Sequence, residues 1–100
     1  MDILQDLLED DSVTEIMING YKNIFIERQG KLHRYPGHFS DNEKLYQVIQ
    51  QVASGANRMV NERNPIVDAR LNDGSRVNII LPPISIDGAT MTIRKFAKDR

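Results

Sequence analysis

One hundred residues without a cysteine exclude a disulfide framework and thiolate chemistry, and suffice for one domain with one core. A net charge of −1, with 27% charged and 40% apolar residues, gives no global pull toward nucleic acid or an anionic membrane. The apolar runs are too short to span a bilayer, and the acidic start Met1-Asp2-Ile3 argues against a signal peptide.

Ile3, Leu4, Leu7 and Leu8 recur at helical spacing and predict a short amphipathic helix over Asp2–Glu9. Such a helix is too short to stand alone and must dock on the rest of the chain. Glu9-Asp10-Asp11 reads as an acidic turn, and Val13–Ile18 as a strand. Asn19-Gly20 is a turn signal, followed by a strand over Asn23–Arg28 with Ile24 and Ile26 on one face. Gln29-Gly30 turns the chain into a returning strand, Lys31–Tyr35, which Pro36-Gly37 closes. The result is a meander of three short strands.

Ser40 followed by Glu43 predicts a capping box at the start of the main helix. Leu45, Val48, Ile49, Val52, Ala53 and Ala56 form its apolar stripe, and the helix is expected to run to about Asn57. Asn61–Asn64 is a polar loop, and Pro65 bars helix continuation.

Three more strands follow: Ile66–Leu71, Arg76–Leu81 and Ala89–Phe96. Asn72-Asp73-Gly74-Ser75 separates the first two, and Pro82-Pro83 and Asp87-Gly88 separate the last two. A two-residue loop at Asp73-Gly74 would mix buried and polar faces. A three-residue loop with Gly74 left-handed pairs Leu71 with Ser75 and Arg70 with Arg76, keeping the faces apart. If the third strand pairs antiparallel with the second, the same rule places Arg94 opposite or beside Arg76. Arg70, Arg76 and Arg94 then share one polar face. Like charges across a sheet are destabilising, and Asp68 offsets only part of this. Arginine forks match phosphate and carboxylate, so the face reads as an anion site or an acidic-partner surface. The alternative is a solvated face with its arginines splayed into water.

The element order predicts an α+β fold: a mostly antiparallel sheet of about six strands with the amphipathic helices on one face. The other face is left to solvent or a partner. No catalytic constellation is visible. His33 and His38 lack neighbours at metal-ligand spacing, no phosphate loop occurs, and Met17, Met59 and Met91 read as core filler. The aromatics scatter over different elements, which weakens a base-stacking role.

DARLNDGSRVNIILPP followed by DGATMTIRKF resembles the N-terminal domain of the type II/type IV secretion ATPases. VTEIMINGYKNIFIERQGKL and NERNPIVDARL extend the resemblance from about Val13 to Phe96, most closely to the tight-adherence and Flp-pilus assembly branch. The resemblance implies a PAS-like N-terminal domain of a hexameric ATPase that powers protein secretion or pilus assembly. Such a protein is cytoplasmic and peripheral to the inner membrane through machine partners. ATP and Mg would bind the full-length parent at the cleft with a downstream RecA-like domain. Arg76 in GSR and Arg94 in TIR match the family's phosphate-contacting arginines; Arg70 in DARL is a weaker match that could instead serve structure or the subunit interface.

The RecA-like catalytic domain is absent from this chain, so residues 1–100 are expected to be a single N-terminal domain, not active alone. Implied partners are its own C-terminal RecA-like domain, neighbouring subunits of the ring and inner-membrane secretion or pilus proteins, with no nucleic acid. The competing readings are a stand-alone protein-interaction module and a small nucleic-acid-binding domain.

Overall fold

The computed structural model describes residues 3–96. Its elements are α1 (Ile3–Glu9), β1 (Val13–Asn19), β2 (Asn23–Arg28), β3 (Lys31–Arg34), α2 (Asn42–Gly55), β4 (Ile66–Arg70), β5 (Arg76–Ile80) and β6 (Thr90–Arg94). Asp2, expected in the first helix, lies outside the described residues. Every other predicted element is present, with ends that differ by a residue or two.

The six strands form one antiparallel sheet in the order β3-β2-β1-β6-β5-β4. Each half is a meander of neighbouring strands. The two halves meet where β1 pairs with β6, in a register that sets Ile16 against Ile93 and Ile18 against Met91. Alternation then puts Ile16, Ile18, Ile24 and Ile26 of the first half on the same inner face as Val77, Ile79, Met91 and Ile93 of the second. Leu45, Val48, Ile49 and Ala53 of α2, and Leu4 and Leu7 of α1, join that face in one core. Burying each large aliphatic side chain contributes roughly 1.5–3 kcal/mol. Both helices therefore lie on one face, as expected, and among the described residues no helix covers the other.

The main helix begins one residue later than the capping-box pattern implies. Asp41, extended at φ −165° and ψ 179°, is the N-cap, and its Oδ1 accepts from the Lys44 N–H at 2.8 Å. A carboxylate there satisfies a free N–H and faces the positive end of the helix, which a serine hydroxyl does not match in charge. Glu43 falls at the second helical position and cannot complete a box with Ser40. At the other end Asn57 takes φ +57°. Its N–H donates to Ser54 O at 3.0 Å and that of Arg58 to Ala53 O at 2.9 Å, the two bonds of a Schellman motif. The helix ends at Gly55, short of the expected Asn57, because Asn57 is used to turn the chain.

The β4–β5 loop is the three-residue form. Gly74 has φ +91°, its N–H donates to Leu71 O at 3.0 Å, and the Leu71 N–H donates to Ser75 O at 2.7 Å. A Cβ on Gly74 would lie 3.0 Å from the Phe96 ring. At the far end of the sheet, Asp10 ties α1 to the first meander. Its carboxylate accepts from the Ser12 N–H and hydroxyl at 2.9 and 2.6 Å and from Arg28 Nη2 at 2.9 Å. Lys95 Nζ donates to the Asp10 and Leu7 carbonyls at 2.7 and 3.3 Å, covering acceptors that the end of α1 leaves open. Of the three methionines read as core filler, only Met91 is: Met17 is half-buried on the open face and Met59 is 73% exposed.

Three outcomes follow for urea unfolding. Asp41→Ala costs about 1 kcal/mol, the usual loss of an N-cap, while Ser40→Ala is close to neutral. Gly74→Ala costs about 1 kcal/mol or more, since it combines an unfavourable φ with contact against Phe96. Hydrogen bonds from Ser12, followed by the Arg28 guanidinium, hold the Asp10 carboxyl down at about 2, against an ordinary 3.8. A depressed folded-state value stabilises above the unfolded one and is lost on acidification. Stability should therefore fall as pH drops from about 4 to about 2, and Asp10→Asn should flatten that part of the profile.

Candidate functional site: a charged row across the open face

The sheet register aligns one row of residues across five strands on the open face. Arg70 of β4 pairs with Arg76 of β5, and Arg76 with Arg94 of β6. Arg94 pairs with Glu15 of β1, and Glu15 with Glu27 of β2. The row thus runs from three cations to two anions. All three arginines predicted to share a face do so, and all three are exposed.

Their neutralisation is graded. Arg94 Nη2 lies 3.4 Å from Glu15 Oε1, Arg76 Nη2 lies 4.0 Å from Asp68 Oδ1, and Arg70 has no ion pair among the described residues. Directly opposed like charges cost stability. Here the cost is limited because the side chains reach into water, where exposed charges interact weakly. Arg76, Arg94, Asp68, Glu15, Asn78 and Thr92 line a shallow depression of about 350 Å³. A larger one, about 630 Å³ beside Tyr46 and Pro82, sets Arg63 next to Glu62 and gathers no cation cluster.

The sequence reading missed two members of the row, Glu27 and Glu15, and of these Glu15 is the one that meets an arginine. It reaches the arginines only because β1 pairs with β6, between residues 79 apart in the chain. Alternation with Ile16 and Ile18 sets its face, and a bulge lies beside it. The β1–β2 register shifts between Val13 and Glu15, so Thr14 is the extra residue. Val13 and Ile16 are both buried, while Thr14 and Glu15 between them both leave the core. Bulges re-aim side chains in this way. Thr14 Oγ1 then donates to Glu27 Oε1 at 2.9 Å and to Glu27 O at 3.1 Å. The spacing of Val13 and Ile16, three apart, breaks strict alternation and is the sequence signal of the bulge.

His33 and His38 are exposed, as expected of surface histidines, and no group of His, Cys, Asp or Glu among the described residues could hold a metal ion. Among the described residues no helix is long and apolar enough to cross a membrane. Of the aromatics, Phe25 lies half-buried on the open face, with the Arg34 guanidinium 5.3 Å from its ring centre.

Comparisons with known proteins bear on the fold and the family. The chain is 37% identical over 98 residues to an uncharacterized protein of Methanocaldococcus jannaschii, covering 97% of this chain and 14% of that protein. It is 29% identical over 93 residues to the type IV secretion system protein VirB11 of Brucella suis, covering 92% of this chain and 26% of that one. The fold superposes on the crystal structure of the VirB11 ATPase from the Brucella suis type IV secretion system in complex with sulphate. The TM-score is 0.79 at 28% identity, over 97% of this chain and 30% of that chain. The chain therefore spans under a third of the length of these relatives. The family model for type II/IV secretion system proteins matches residues 1–100. With the family model matched over its whole length and the fold shared with the VirB11 ATPase, the chain belongs to the type II/IV secretion system protein family.

Proposed function

We propose that this chain is the N-terminal domain of a secretion ATPase, and that its arginine row faces the phosphates of a nucleotide held by a downstream RecA-like domain. The observation that carries this reading is the alignment of Arg70, Arg76 and Arg94 on a face that no helix covers among the described residues, in a chain of this family. A row of like charges is a net cost in isolation and becomes favourable when a polyanion lies across it.

The donor set fits a polyphosphate. Each guanidinium offers several N–H groups in one plane, and exposed arginines can turn toward an incoming phosphate. A Mg ion would accompany the nucleotide in the full-length parent. When bound, ATP supplies the phosphoryl group and its charge. The part of this chain is to bind and orient that charge with Arg76 and Arg94, and Arg70 serves the outer end of the row or a neighbouring subunit. Fixed cations near a transferring phosphoryl group are a large part of what proteins contribute to such chemistry.

In the same reading the rigid sheet acts as one body. Closure of the cleft brings the row to the phosphates, and opening withdraws it. A hexameric ring of such subunits would relay these movements to membrane-bound secretion or pilus proteins.

The test is made in the full-length parent. Arg76→Ala and Arg94→Ala should each lower ATP turnover by about 10²-fold, the scale for loss of one charge-stabilising donor. Both side chains are exposed, so urea midpoints should move little. Arg70→Ala should have a smaller effect. Unchanged turnover in both of the first two variants would remove the arginines from the nucleotide site.

A further inference from the structure

Glu15 and Arg94 form an asymmetric pair. The Glu15 side chain is 18% exposed and Arg94 is 73% exposed, so the carboxylate is fixed and the guanidinium is the part free to move. Two observations account for the fixed end. Alternation with Ile16 and Ile18 puts Glu15 on the open face, and the register sets it directly across from Arg94. The adjacent Glu27 is engaged by the Thr14 hydroxyl at 2.9 Å and so makes a second, separate contact.

The contact itself is loose. At 3.4 Å it is longer than the ~2.7–2.9 Å of a strong charge-assisted hydrogen bond. It also lies on the wall of the same depression as Arg76. A phosphate oxygen entering there meets a guanidinium already held by a weak, replaceable anion.

We infer that Glu15 is an intramolecular counter-anion for Arg94, which phosphate must displace to engage the row. The inference rests on the reading of the row as a phosphate-facing surface. Glu15 holds Arg94 on the sheet when no phosphate is present and lowers the field of the row. Phosphate then exchanges one oxyanion partner for another. Glu15 thereby sets the affinity of the row and keeps stray anions from occupying it. Glu27 does not take part, because its carboxylate is engaged with Thr14 on the neighbouring strand.

The test is a titration of this chain with inorganic tripolyphosphate at low ionic strength, following the amide resonances of β5 and β6. Glu15→Gln should bind about two- to fivefold more tightly than the unmodified chain, the range expected for removing one exposed ionic competitor. Arg94→Ala should bind more weakly. Glu15→Gln combined with Arg94→Ala should bind no more tightly than Arg94→Ala alone, since the competitor has lost its target. Glu27→Gln makes the same charge change one strand away and should leave affinity unchanged. Damage to the fold would weaken binding, so tighter binding by Glu15→Gln is not a structural effect.

An unchanged or weaker affinity for Glu15→Gln overturns the exchange while leaving the phosphate-facing row in place. Equal tightening by Glu27→Gln overturns it too, by reducing it to net charge. An Arg94→Ala chain that binds as well as the unmodified one overturns the reading of the row itself, and the exchange with it.

Discussion

The pairing of β1 with β6 is the constraint on which the rest depends. Each meander alone is a small three-stranded sheet with half an apolar face. Joining them places Ile16 and Ile18 beside Ile93 and Met91 and creates a surface wide enough for α2 and α1 to cover. A sheet needs more than two or three strands and a packed face to be stable in water. The pairing also carries the longest loop-closure cost in the fold, since it joins strands from opposite ends of the chain. The apolar area gathered on one face offsets that cost, and the burial of Ile16, Ile93 and Met91 at 0% exposure shows where it is gathered.

The same register decides the electrostatics of the opposite face. Strand alternation couples the two faces, so a slip by one residue would expose the isoleucines and bury the arginines together. The core therefore holds the charged row in place. Hydrophobic packing on one side fixes the charged arrangement on the other, and the arginines need no specific contacts of their own to stay aligned. This explains why their ion pairs can be long, at 3.4 and 4.0 Å, without loss of order in the row. Weak pairing leaves the guanidinium groups free to change partners, as the proposed phosphate-facing role requires.

The sequence reading succeeded where the physics is local. The Asn72-Asp73-Gly74 loop and the Arg70–Arg76 pairing followed from face alternation and one glycine. The helical stripe followed from spacing. It failed at three places for separate reasons. Ser40 and Asp41 are both good caps, and only backbone geometry chose the second. Met17 and Met59 are apolar by type, but alternation puts Met17 on the open face and the turn after α2 leaves Met59 in solvent. Glu15 looked like an ordinary polar position of a strand.

The amino-acid sequence by itself determined the number and kind of elements, the inner faces of β2, β4, β5 and β6, the hairpin that aligns Arg70 with Arg76, and the family. These depend on periodicity, turn chemistry and motif order, all written within short stretches of chain. Only the tertiary structure decided that β6 lies against β1, and with it the meeting of Arg94 and Glu15 across 79 residues. Nothing in either segment names its neighbour. The choice is made by the whole apolar face, because a single order of strands gathers every inner residue against the two helices.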